Sequence, residues 1–230
     1  ILELEGDFRI RISSIEPDSW GEDFVRLLDH PKLCPHLHLC LQSGSDRILL
    51  AMRRLYTVSD YLSFVDRVRA AQPDFNITTD VMVGFPGETE HEFEETGGVV
   101  KHVGFSHIHT FPYSVREGTR AARMSGQVPK REKTRRAGII RDMSDSYKLE
   151  YRRGLLGRHQ HVLVEQIESG IARGYGEHYV PVQIPVSSGL KPNTFVPVRL
   201  ERLADGDDPV FHGAEVPHDS DSSGTKESFR

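Results

Sequence analysis

The 230-residue chain carries 29 Lys+Arg against 34 Asp+Glu, a formal net charge of −5, with 27% charged and 37% hydrophobic residues. That balance suits a globular protein with a core in one or two domains. No apolar run approaches the roughly 20 residues of a membrane span, no signal-peptide pattern stands among the opening residues, and two cysteines exclude a disulfide framework, so a reducing, cytoplasmic setting is expected.

Residues 9–15 alternate apolar and polar and stop before Pro17, which predicts a strand. A helix is expected from Ser19 to Asp29, then a strand over 36–41 that ends in Gln42-Ser-Gly-Ser, and a short helix to Met52. Thr57 is placed to cap a helix from Val58 to Ala71. A third strand over 76–83, a helix over 90–102 and a fourth strand from Ser106 to Phe111 complete four βα steps with short loops. That alternation predicts a parallel sheet with helical crossovers, part of a β/α barrel. A long helix is expected from Lys130 to Arg153.

After Gly157 the pattern changes. Segments 160–167, 170–175, 179–184, 194–203 and 209–215 are short, rich in Val, Ile and Tyr, and separated by Gly, Pro or Asn. They predict a small all-β barrel. The expected domains are therefore 1–154 and 155–216, with a disordered polar tail over 217–230. Charge is uneven along this plan. From Arg116 to Arg158 there are 13 Lys+Arg against 5 Asp+Glu, whereas from Glu201 to Arg230 there are 3 against 8. A basic middle indicates either a polyanion partner or a solvated helix face.

The chemistry-bearing groups gather at strand ends, where β/α barrels place their sites. They are Ser13, Ser14 and Glu16; Gln42, Ser43, Ser45 and Asp46; Asp80 with the loop Gly84-Phe-Pro-Gly-Glu88; and Tyr113 with Ser114. Hydroxyls and amides suit a carboxylate or ribose, a carboxylate such as Glu16 suits an ammonium group, and Gly84 and Gly87 allow a sharp turn that brings backbone near a ligand. Ser45 reads equally as a helix cap, Glu88 as a first-turn residue, and Phe111 and Tyr113 as core. Thr89 with Glu92 forms a capping box for the helix that follows. Asp80 inside an apolar strand needs a partner, structural or functional. Cys34 and Cys40 match neither a zinc nor an iron–sulfur spacing and read as buried thiols. His36 and His38 share a strand face, as do His107 and His109, but without matching ligands at local spacing they read as structural. No metal ligand and no Ser-His-Asp or phosphate-loop constellation is expected.

Four segments in order resemble the radical S-adenosylmethionine methylthiotransferase family: Arg11-Ile-Ser-Ser-Ile-Glu-Pro17, Cys34-Pro-His-Leu-His-Leu-Cys-Leu-Gln-Ser-Gly-Ser-Asp46, Asp80-Val-Met-Val-Gly-Phe-Pro-Gly-Glu-Thr89 and Phe111-Pro-Tyr-Ser-Val-Arg-Glu-Gly-Thr119. The resemblance implies the second half of a radical barrel, its missing units preceding Ile1. It implies an S-adenosylmethionine site lined by Ser14, Glu16, Gln42, Ser43, Asp80, Gly84, Gly87, Phe111 and Tyr113. Residues 157–165, 174–180 and 195–200 resemble a TRAM domain, which implies RNA binding; the barrel arginines Arg158, Arg173 and Arg199 would meet phosphates. Full-length members carry two four-iron clusters on cysteine motifs absent here, so the isolated chain is expected to be inactive. The whole protein would act in the cytoplasm on the anticodon stem-loop of tRNA, with a reductant protein. It would add a methylthio group to carbon 2 of N6-threonylcarbamoyladenosine beside the anticodon. The isopentenyladenosine enzyme is the nearest alternative, the ribosomal-protein enzyme fits less well, and a non-catalytic RNA-binding remnant is the reading from another class.

Overall fold

Four parallel strands, β1 Ile10–Ile15, β2 Leu33–Leu39, β3 Asn76–Val83 and β4 His107–Pro112, lie in the order β1-β2-β3-β4 in this computed structural model, which describes residues 1–17, 21–206 and 208–216. The expected helix start at Ser19 and the expected tail at 217–230 lie outside the described residues. Helices α1 Glu22–Leu27, α2 Asp46–Ala51, α3 Val58–Ala71 and α4 Glu90–Val103 connect the strands, followed by α5 Arg120–Arg123 and α6 Lys130–Gly154.

Local chemistry sets the helix ends. The Thr57 side chain accepts from Asp60 N while Asp60 accepts from Thr57 N, and Thr89 with Glu92 repeats the arrangement at α4. α4 stops at Gly104, whose φ of 58° is left-handed. Ser45 stands at the N-cap of α2 without a side-chain cap hydrogen bond. β2 begins at Leu33, three residues before the expected start, because its first residues pair with β1 through Leu33↔Ile10. The four-residue α5 was not expected; it is too short to show a hydrophobic period.

One sheet face is the core. Leu37, Leu39, Ile77, Val81, Val83 and Ile108 pack against Tyr61, Phe64, Val65 and Val68 of α3, Phe93 and Val100 of α4, and Ala137 and Ile140 of α6. α6 is further fixed by Ile108 N donating to Ser144 Oγ at 2.9 Å and by the Tyr151 hydroxyl donating to Asp74 O at 2.9 Å. No described helix is long and apolar enough to cross a membrane.

A second compact unit begins at Leu155. Strands β5 His159–Glu168, β6 Ile171–Tyr175, β7 Pro181–Pro185, β8 Thr194–Leu203 and β9 Phe211–Glu215 close into a barrel in the order β5-β6-β7-β9-β8. Val162, Val164, Ala172, Val182, Ile184, Val196, Val198, Leu200 and Phe211 are buried in alternation along the strands. Closure needs glycine at two strand positions. A Cβ at Gly174 would lie 1.9 Å from Leu163 O, and one at Gly213 would lie 2.2 Å from Val198 Cγ1.

Candidate functional site

The other face of the parallel sheet is polar. Register partners His36↔Asn76, His38↔Thr78, Thr78↔His107, Asp80↔His109 and Met82↔Phe111 place alternate residues of β2, β3 and β4 together on it. Thr78 Oγ1 lies 3.0 Å from His38 Nδ1 and 3.3 Å from His36 Nε2. His38 Nε2 is 3.2 Å from Asp80 Oδ1, and the Cys40 thiol donates to Asp80 Oδ2 at 3.8 Å. The rings of His107 and His109 meet edge-on at 4.5 Å, and those of His38 and His109 lie 5.6 Å apart. Burial, then Arg11 and His38, lower His36 to about 3; burial, then Asp80 and Glu16, push the Cys40 thiol up to about 11. No matching ligand stands near His38 at local spacing, but a carboxylate distant in sequence reaches it across the β2–β3 pair.

Where β2 leaves the sheet, backbone irregularity shapes the strand ends. Between Ile12↔Leu37 and Ile15↔Leu39, β1 holds one residue more than β2, and Ser14 takes φ 56° in this bulge. Gln42 has φ 62° yet rejoins β3: its N–H donates to Asp80 O at 2.8 Å and its carbonyl accepts from Met82 N at 2.9 Å. Tyr61 OH donates to Leu39 O at 2.9 Å, and the Tyr56 hydroxyl is within hydrogen-bond reach of Cys40 O and Leu41 O. Glu16 pairs with the Arg54 guanidinium.

Several expected site residues are used by the fold. Ser43 is fully buried; its Oγ accepts from Ser45 N at 3.2 Å and lies 3.5 Å from Thr96 Oγ1 of α4, so it is enclosed rather than turned to a ligand. The loop after β3 does not offer its backbone donors outward, as was expected. Gly84 N donates to Glu88 Oε2 at 2.6 Å, Gly87 N to Gly126 O at 2.8 Å and Glu88 N to Phe85 O at 2.9 Å. Gly84 (φ 72°) is glycine because a Cβ there would lie 2.2 Å from Lys133 Cγ, whose ammonium donates to Tyr113 O at 2.8 Å. Gly87 (φ 82°) has room, with its carbonyl accepting from Arg47 Nη2 at 2.6 Å.

Glu88 is held by Arg136 at 2.7 Å, both nearly buried; burial raises the Glu88 carboxyl above its ordinary value against the pull of the Gly84 N–H and Arg136. Lys133 and Arg136 escaped sequence reading, although their one-turn neighbourhood on a basic helix was the available signal.

The remaining candidates range from exposed Phe111 to buried Gln42 and Tyr113. Phe111 is 49% exposed beside Met82. Tyr113 packs edge-on against Phe85 at 5.5 Å, and its buried hydroxyl has no hydrogen-bond partner among the described residues. Ser14, Glu16, Gln42, Asp80, Phe111 and Tyr113 therefore bring hydroxyl, amide, carboxylate and aromatic groups to one end of one sheet, and an orphaned hydroxyl there is a vacancy for an acceptor.

In the barrel, Arg158, Arg173 and Arg199 are exposed. Arg158 O accepts from Leu200 N, which sets Arg158 beside Arg199. Arg173 pairs with Gln166 of β5 whereas Arg199 pairs with His159, which separates them by about 20 Å at about 3.3 Å per residue. Arg173 also meets Glu168 at 3.4 Å. In α6, Arg135 is bound by Glu132 and Glu90, and Lys148 by Asp145, so part of the basic excess is spent within the chain.

A family description of the Radical SAM superfamily matches residues 1–98. The threonylcarbamoyladenosine tRNA methylthiotransferase MtaB of Thermotoga maritima is 39% identical over 207 residues, covering 89% of this chain and 47% of that protein. The tRNA-2-methylthio-N(6)-dimethylallyladenosine synthase of Endomicrobium trichonymphae is 41% identical over 171 residues, covering 74% of this chain and 41% of that protein. The chain thus spans less than half the length of these relatives. Among solved structures, the radical SAM coproporphyrinogen III oxidase HemN of Escherichia coli superposes with a TM-score of 0.51 at 16% identity over 65% of this chain and 39% of that one, a likeness of fold.

Proposed function

The chain belongs to the radical S-adenosylmethionine methylthiotransferase family, and from that premise we infer that the protein it forms part of adds a methylthio group to carbon 2 of N6-threonylcarbamoyladenosine beside the anticodon of tRNA. The observation that carries this reading is the 39% identity over 207 residues to a threonylcarbamoyladenosine tRNA methylthiotransferase, which runs through both compact units. The 41% identity to a dimethylallyladenosine synthase favours a second reading, isopentenyladenosine as substrate.

The residues fit S-adenosylmethionine, which when bound supplies the radical chemistry of the family. Phe111 offers an exposed aromatic face for adenine, Tyr113 an unengaged hydroxyl, and Ser14 and Gln42 polar groups at strand ends bent by left-handed residues. Glu16 meets the ligand's ammonium group only by sharing its carboxylate with Arg54. Asp80 and the loop flanked by Gly84 and Gly87 would border the ligand, and the buried Glu88–Arg136 pair holds that loop. A four-iron cluster with an open iron is held by three thiolates. Cys34 and Cys40 are two, and six residues of extended chain set them about 20 Å apart, so they do not fit such a cluster.

In this reading the barrel is a TRAM domain that meets tRNA phosphates through Arg158 and Arg199, with Arg173 at a separate point. Affinity of the full chain for a tRNA anticodon stem-loop, measured across a salt series, tests it. The expected slope falls by about one unit for each lost phosphate contact in Arg158→Ala and Arg199→Ala. Salt-independent binding, or none at low salt, overturns the RNA-binding reading. Stem-loops bearing threonylcarbamoyladenosine or isopentenyladenosine separate the two substrates.

A further inference from the structure

We propose that His38 Nε2, Cys40 Sγ and one Asp80 carboxylate oxygen form a binding site for a single divalent transition-metal ion of the Zn2+ and Co2+ type on the polar face of the parallel sheet. This goes beyond the methylthiotransfer reading and does not depend on it.

The three atoms lie within 4.8 Å of one another, with contacts of 3.2 Å for His38–Asp80 and 3.8 Å for Cys40–Asp80. Bonds of about 2.0–2.3 Å around a tetrahedral ion set its ligands about 3.3–3.8 Å apart, so the trio needs only small side-chain adjustments to enclose one. Imidazole, thiolate and carboxylate are all ligands of zinc, and three protein ligands leave a fourth position open to water. One thiolate among them is not the set of a four-iron cluster.

The surroundings prepare His38 for this role. Thr78 Oγ1 sits 3.0 Å from His38 Nδ1 and 3.4 Å from Leu37 O. With the hydroxyl donating to that carbonyl, it accepts Nδ1–H and leaves Nε2 to face Asp80, the outer support that metal-binding histidines use. His38 and Asp80 project from paired strands, and Cys40 is anchored by its own N–H donating to Ile15 O at 2.9 Å, so all three ride on a rigid sheet. In the metal-free chain His38 Nε2 faces Asp80 Oδ1, and the thiol hydrogen points to Asp80 Oδ2. The ion binds the Nε2 lone pair and a carboxylate oxygen and takes the place of the thiol hydrogen; the metal–sulfur bond forms as the S–H proton leaves to solvent, and no electron changes hands.

The test uses the full chain, stripped of metal and freed of any purification tag, titrated with Co2+ alone. We expect one ion per chain with a near-ultraviolet thiolate-to-cobalt charge-transfer band. Cys34→Ser should keep the band, Cys40→Ser should abolish it, and Asp80→Asn should weaken binding at least tenfold. Thr78→Val should weaken it about tenfold with the band intact. Circular dichroism confirms that each variant is folded; if Cys40→Ser does not fold, His38→Gln and Asp80→Asn carry the decision through loss of affinity. Binding without a sulfur band, which surface histidines alone would give, overturns the proposal. So does a band that survives Cys40→Ser or disappears in Cys34→Ser.

Discussion

The barrel interior and the polar face of the parallel sheet are built in opposite ways. In the barrel, the inward residues of every strand are apolar or glycine with the exception of Gln160, which is buried at one end and hydrogen-bonded to His178 at 2.8 Å. In the parallel sheet, the face turned away from the helices carries His36, His38, Asp80, His107 and His109. Folding alone explains the first arrangement, since it removes apolar area from water at little polar cost. It does not explain the second. Buried or half-buried imidazoles and a carboxylate cost stability unless paired, and stability alone would favour aliphatic replacements of similar volume. The polar face therefore carries a stability cost that the barrel interior avoids.

The largest expected effect is on the apolar side of this contrast. Phe211 is fully buried among the strands of the barrel. Phe211→Ala removes its contacts and leaves a cavity, so we expect the barrel to lose about 3–5 kcal/mol in chemical denaturation of the full chain. A loss below about 1 kcal/mol would mean that the barrel is not packed as a core, and the comparison would fail.

What the sequence made legible follows the same divide. Signals confined to a short window came through: the Thr57 cap, the Thr89–Glu92 capping box, the four βα steps and the five barrel strands all rest on local period and turn chemistry. The polar face did not come through as a unit. His38 and Asp80 meet only because the β2–β3 register aligns His38 with Thr78, and nothing at local spacing announces that. Ser43 and Gly84 were read as facing a ligand because each stands at a strand end. The close approach of α4, which a Cβ at Gly44 would strike at Thr96 Cα within 2.5 Å, and the Lys133 stem over Gly84 decide otherwise. Both are contacts between elements far apart in the chain. The Glu88–Arg136 pair was hidden for the same reason.

The loop that closes the strand ends tests whether this border is packed like the barrel or open like the polar face. Gly84→Ala meets two penalties, a left-handed φ and the Lys133 stem, and we expect a loss of about 2–3 kcal/mol. In a Lys133→Ala background the clashes with Cγ and Cδ disappear and only a 3.3 Å contact with Cβ stays, so little more than the backbone part, about 1 kcal/mol, should remain. The double-mutant cycle should therefore show a coupling of about 1–2 kcal/mol. Additive effects would show that Lys133 does not rest on Gly84.

A smaller effect is expected at Glu92, which joins the helix side of the strand ends. Arg47 first, then the Thr89 hydrogen bonds, hold its carboxyl down at about 2, below its ordinary 4.5. A carboxyl lowered on folding adds stability that is fully present above pH 4.5 and is lost as pH falls towards 2. Arg47 is 58% exposed, so solvent screening reduces the ion-pair part. Glu92→Gln should cost about 1–2 kcal/mol at pH 7 and flatten the stability curve between pH 4.5 and 2. An unchanged acid limb would assign that limb to other carboxyls.

The smallest expected effect is the one that most sharpens the contrast with Phe211. Phe111 has the same side chain but stands on the polar face with 49% of its surface exposed. Its neighbour in register is Met82, itself only partly buried, so truncation opens no enclosed cavity. Burial energy scales with area removed from water: of the roughly 100 Å2 that a Phe ring adds beyond Cβ about half is covered here, which at about 25 cal/mol per Å2 is worth about 1 kcal/mol. Phe111→Ala should therefore change denaturation stability by only about 1 kcal/mol. In the whole protein the same substitution should weaken S-adenosylmethionine binding while leaving the fold intact, and calorimetry on the folded variant measures it. A large loss of stability would place Phe111 in the core, and a stable variant with unchanged ligand affinity would remove it from the site; either result would move the border between the apolar and polar faces drawn here.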